Sequence, residues 1–99
     1  MLITLNRIQL IGRLGQDPKS LKGGVCSFSV ATDEPQGEGK ESITEWHNCV
    51  AFGKQAEFAV KYFKKGSVVF AEGSSVTNRY KDKDGSEKEY KQVKISKHI

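Results

Sequence analysis

Apolar and polar residues alternate along most of this chain, the mark of strands whose two faces meet different surroundings. Between residues 5 and 14, Ile8, Leu10, Gly12 and Leu14 fall on one face, and Arg7, Gln9, Ile11 and Arg13 on the other. Gly12 inside that run predicts a bend or bulge, as where a barrel turns a corner. Gly15-Gln16-Asp17-Pro18 ends the strand, and Lys22-Gly23-Gly24 marks the next turn. A second strand runs from Val25 to Thr32, with Cys26, Phe28 and Val30 facing one way and Ser27 and Ser29 the other. The polar, glycine-bearing stretch 33–42 reads as a mobile loop. A third strand follows, through Phe52. Trp46, Asn48, Val50 and Phe52 share one of its faces, and His47, Cys49 and Ala51 take the other.

The period then changes. Ala56, Ala59, Val60 and Phe63 stand at i, i+3, i+4 and i+7, which predicts a helix from Gln55 to Phe63, closed by Lys64, Lys65 and Gly66. Ser67 to Tyr80 reads as a long fourth strand, with Val69, Ala71 and Gly73 on one face. Asp82-Lys83-Asp84-Gly85 is a hairpin turn, and Lys88 to His98 returns as a fifth strand with Val93 and Ile95 between lysines. Three strands, a helix and two strands is the order of an OB-fold. The expected fold is therefore all-β with one short helix, a five-stranded Greek-key barrel, as a single domain over residues 1–99.

Composition sharpens this picture. Only 36% of residues are hydrophobic and the mean hydropathy is −0.54, low for a free-standing core, which points to wide polar faces or a subunit contact. The net charge of +4 is uneven: residues 33–45 hold five carboxylates against Lys40, a net of −4, so the remainder carries +8. A basic domain with one acidic loop suits a polyanion approached from one side. No apolar run reaches membrane-spanning length, so no membrane partner is expected. No signal peptide precedes the first strand, and Cys26 and Cys49 read as free thiols of a reducing compartment, so a cytoplasmic location is expected.

Candidate chemistry is sparse. His47, Cys49, Cys26 and His98 supply only one closely spaced pair, short of what a structural zinc site requires, so no metal or other cofactor is expected. Asp82, Asp84, Glu87 and Glu89 alternate with Lys81, Lys83, Lys88 and Lys91 as a solvated ribbon. With no nucleophile–base pair and no phosphate-cradling loop, the chain does not read as an enzyme. Trp46, the only tryptophan, lies in line with Phe52 and close to Lys54, a pattern on which unpaired bases can stack. The competing readings are that both rings are core, or that they serve a protein interface in a module that binds no nucleic acid.

Four blocks resemble the bacterial single-stranded DNA-binding protein family. They are Leu5 to Pro18, ending in Gly-Arg-Leu-Gly-Gln-Asp-Pro; Phe28-Ser29-Val30-Ala31-Thr32; Thr44 to Lys54, with Glu-Trp-His and Phe-Gly-Lys; and Tyr62 to Ser67, followed by Val69, Glu72-Gly73 and the Asp84-Gly85 hairpin. The resemblance implies that Trp46, Phe52 and Tyr80 stack on bases and that Lys54, Lys65 and Arg79 follow the backbone. Arg13 and Lys61 join them as basic candidates for phosphate contact. It also implies that His47 sits at a subunit interface, and Cys49 shares its strand face. The expected assembly is a homo-oligomer, tetramer before dimer, that wraps unpaired DNA during replication, recombination or repair.

The chain departs from the family pattern in places. No tryptophan lies in residues 33–43, Asn48 replaces a basic residue, and no glycine-rich tail with an acidic tip follows Ile99. Tail-mediated recruitment of repair or replication enzymes is therefore not expected. The departure suggests a trimmed form, a phage or plasmid version, or a paralogue like the dimeric primosomal replication protein N.

Overall fold

The computed structural model describes residues 3–98, the side chains of residues 97 and 98 excepted, so that of His98 lies outside the described residues. The elements in chain order are β1 (Ile8–Leu14), β2 (Lys19–Leu21), β3 (Val25–Glu34), β4 (Ile43–Phe52), α1 (Gly53–Tyr62), β5 (Val68–Lys81) and β6 (Glu87–His98). Strand neighbours run β1-β5-β6-β4-β3-β2, and β1 also pairs with β3. That extra pairing closes β1, β5, β6, β4 and β3 into a ring of five strands, the OB-fold barrel that the strand order predicts. All pairings are antiparallel except β4 with β6.

The alternating apolar faces point inward. Leu10, Leu14, Cys26, Phe28, Val30, Cys49, Ala51, Val69, Ala71, Val93 and Ile95 form one core, which Ala56, Ala59 and Phe63 join from the helix side. The Phe63 ring meets Phe28 edge-on, centroids 5.5 Å apart. Val60 does not belong to the helix's buried stripe: it stays 48% exposed, because Ala56, Ala59 and Phe63 already cover the barrel.

Two glycines allow backbones to approach. A Cβ on Gly12 would strike the Ala31 carbonyl, at the point where β1 leaves β5 and joins β3. Gly12 is thus the corner, whereas the bulge lies at Glu72/Gly73, where Ser96 of β6 has no register partner. The Ser96 hydroxyl donates to the Glu72 carbonyl, and its own carbonyl accepts from the Gln55 amide. Strand β2 has no counterpart in the alternation. Its three residues are all exposed, and pairing with β3 across the Lys22-Gly23-Gly24 turn holds them in place.

Candidate nucleic-acid interface

Register determines which side chains share the outer surface of β3, β4, β6 and β5. Trp46 stands opposite Ala31, Asn48 opposite Ser29 and Phe52 opposite Val25, while Val50 pairs with Lys94 on β6. Lys94 in turn meets Ser74, Gln92 meets Val76, Tyr90 meets Asn78 and Lys88 meets Tyr80 on β5. One continuous wall therefore carries Trp46, Phe52, Tyr90 and Tyr80, with Asn48, Gln92, Asn78 and Lys94 among them. The core reading of the two β4 rings is not what the fold adopts: Trp46 is 55% exposed and Phe52 45%, and Tyr80 on β5 is 52% exposed as well.

The wall orders its rings. The Trp46 indole lies against Gly15, where a Cβ would come within 2.6 Å of Cη2, so a larger residue there would displace the ring. Beside it runs an open groove of about 830 Å³, lined among others by Asp17, Ser27, Ser29, Asn48 and Gln92. The Lys94 ammonium lies 5.5 Å from the Phe52 ring centroid, and Tyr80 and Tyr90 pair at 5.9 Å. Both tyrosines ride on an arm, 79–91, whose residues are all exposed. The Asp84-Gly85 turn holds the tip of that arm. The Ser86 backbone N–H donates to Asp84 Oδ1, and this bond keeps the carboxyl below its usual range.

The cationic candidates are spread more widely. Lys54 occupies the first turn of α1, directly after Phe52, where the helix dipole favours an anion. Arg13 pairs with Ala31, itself opposite Trp46, so it stands two strands from the indole in the same row. The backbone N–H of Lys65 donates to Asp17 at the groove, 2.8 Å away. Arg79 faces the other side of the arm from Tyr80 and is ion-paired to Glu89 at 3.5 Å. Lys61 is not brought to the wall; it lines a separate groove with Val60, Gly24 and Gly53.

His47 and Cys49 part company. His47 is half-buried at the end of the inner face, its Nε2 2.9 Å from Thr32 Oγ1. Cys49 has no exposed surface. Burial pushes its thiol up to about 12, and that of Cys26 upward too. The expectation that Cys49 lies at a subunit contact is corrected: the face it shares with Ala51 is the interior of this chain's own barrel.

Sequence reasoning passed over Tyr90 and Lys94. Their association with Trp46 and Phe52 depends on the parallel β4–β6 pairing, although the lysine and tyrosine of an alternating fifth strand were a signal. No group of three or more metal-ligating side chains occurs among the described residues. None of the helices described is long and apolar enough to cross a membrane.

The chain matches the model of the Single-strand binding protein family over residues 5–99. The single-stranded DNA-binding proteins of Neisseria meningitidis serogroups A and B are similar to it, each 45% identical over 93 residues, 87% of this chain and 53% of theirs. The chain thus spans about half the length of the curated relatives it matches. A solved structure described as the Plasmodium falciparum SSB complex with ssDNA superposes with a TM-score of 0.82 at 31% identity. The match covers 100% of this chain and 95% of that one.

Proposed function

The chain belongs to the single-strand binding protein family, and from that premise we propose that it binds and sequesters single-stranded DNA, without chemistry, where replication, recombination or repair exposes it. The observation that carries this reading is the wall of Trp46, Phe52, Tyr80 and Tyr90, four exposed rings on one outer face of the sheet. Bases stack on such rings with little regard to sequence, each contributing about 1–3 kcal/mol. Lys94, Lys54, Arg13 and Lys65 supply charge for the phosphates, while Arg79 shares its charge with Glu89. Duplex DNA hides its base faces, so preference for single strands follows from stacking. Fluorescence anisotropy of labelled single-stranded and duplex oligonucleotides over a salt series tests it. The expected result is binding to the single strand alone, weakening with salt at a log–log slope of about −0.7 per phosphate neutralised. Equal affinity for the duplex, or a flat salt response, would count against it.

The same reading extends to assembly as a homo-oligomer, tetramer before dimer. Ile11 and Val68 are 69% and 64% exposed on neighbouring outward rows of β1 and β5, next to half-buried Phe70. Aliphatic surface of this kind favours burial against another copy. His47 is retained as a contact candidate, and Cys49 is withdrawn.

A further inference from the structure

Between the aromatic rings, the wall carries uncharged hydrogen-bonding side chains. Ser29 Oγ donates to Asn48 Oδ1 at 3.2 Å, and Asn78 Nδ2 donates to Gln92 Oε1. Each bond uses a carbonyl and leaves an amide nitrogen. Asn48 Nδ2 and Gln92 Nε2 have no protein acceptor among the described residues. Cys49 pairs with Val93 and Val50 with Lys94, so Asn48 and Gln92 are adjacent on the two strands, and both line the groove beside Trp46. The two side chains thus leave neighbouring strands, ~4.8 Å apart, each with a free amide nitrogen at the groove beside a stacking platform.

Resting on the reading that this wall takes single strands, we propose that the groove reads a base edge: a base stacked on Trp46 turns its acceptors onto Asn48 Nδ2 and Gln92 Nε2, which favours pyrimidines. Stacking alone is tolerant, since every base has a π-face. Edge contacts are what distinguish bases. Thymine offers O2 and O4 on either side of N3, and cytosine offers O2 beside N3, two acceptors in each case. The Watson–Crick edge of adenine offers one acceptor, N1, beside an amino group that would face an amide N–H. Neither amide carries charge, so neither releases counterions, and this contribution is separate from the salt-dependent one.

Wild type, Asn48→Leu and Gln92→Leu are titrated into labelled oligo(dT), oligo(dC) and oligo(dA) of equal length, read by fluorescence anisotropy of the label. Each variant is compared with wild type on the same oligonucleotide, which cancels the self-stacking of free dA. Expected is a loss of about fivefold on dT and dC, the low end of what a base-edge hydrogen-bond pair provides, with dA nearly unaffected. The salt slope stays that of wild type. Equal losses on all three, or no loss, overturn base-edge reading. Wild type binding none of the three would overturn single-strand binding itself. Asn48 is exposed, so its variant carries the test if Gln92→Leu does not fold.

Discussion

Two outward surfaces of this barrel carry apolar side chains, and they differ in kind. On β4, β6 and the distal half of β5 the large exposed side chains are aromatic, set among amides and the lysines Lys88 and Lys94. On β1 and the proximal half of β5 they are Ile11, Val68 and Phe70, flanked by the Arg7–Glu72 ion pair at 3.2 Å. Flat rings with polar neighbours can accept a base, which has a π-face and a hydrogen-bonding edge. Branched aliphatic side chains gain only by excluding water, so their partner is another apolar surface. Both surfaces arise from one period-two alternation around one core, and β5 belongs to both. The chemistry of the outward residues, and not their hydrophobicity, separates a nucleic-acid wall from a protein contact.

The largest effect is expected where the two surfaces join. Gly73→Ala would drive a methyl group into the Lys94 backbone carbonyl beside the bulge, with no flexible side chain to yield. A loss of about 3 kcal/mol or more, or outright failure to fold, is expected in urea denaturation. A wild-type midpoint would show that the strands can part there without cost.

Next come changes that separate the surfaces. A charge at Ile11 or Val68, such as Ile11→Asp, should split the assembly in sedimentation equilibrium while leaving Trp46 emission as it was. DNA affinity should then fall by about 10²-fold or more, because linked sites lose their effective concentration. An assembly unchanged by Ile11→Asp and Val68→Asp together would remove the aliphatic surface as an interface. A smaller effect falls within the aromatic wall. Phe52→Ala should weaken binding by about 1–3 kcal/mol with little change of salt slope, whereas Lys94→Ala should flatten the slope by about 0.7. Identical slopes in both variants would undo this division of labour between ring and charge.

The smallest effect lies in the core. Folding holds the Cys49 thiol protonated, its pKa raised from 9.0 to about 12. The unfolded chain releases that proton first, so stability is flat below the lower value and falls as pH rises through the interval. The fall is about 1 kcal/mol near pH 10. Denaturation curves across that range should show a shallower decline for Cys49→Ala.

These contrasts were unevenly legible in the chain. The alternation in β4 is strict enough that Trp46 and Phe52 must share a face, and that face is the exposed one. Alternation does not say which face is interior, since a one-residue slip of register exchanges them. For that reason Cys49 could be read as a contact residue although it is core. Tyr90 and Lys94 join the wall only through a parallel pairing between strands far apart in sequence. Strand β2 consists of Lys19, Ser20 and Leu21, too short and too exposed to show a period. Val60 fits the helical stripe by spacing, but the stripe is only as wide as the barrel surface beneath it.

Trp46 fluorescence under titration with oligo(dT) tests the stacking wall most directly. It is the only indole, so its emission reports one place on the protein. Stacking of a base on the ring should quench that emission strongly and saturably, and Trp46→Ala should cost about 1–3 kcal/mol of affinity by anisotropy. Unchanged emission at saturating oligonucleotide, with binding established by anisotropy, would contradict the assignment and move the bound strand elsewhere on the barrel.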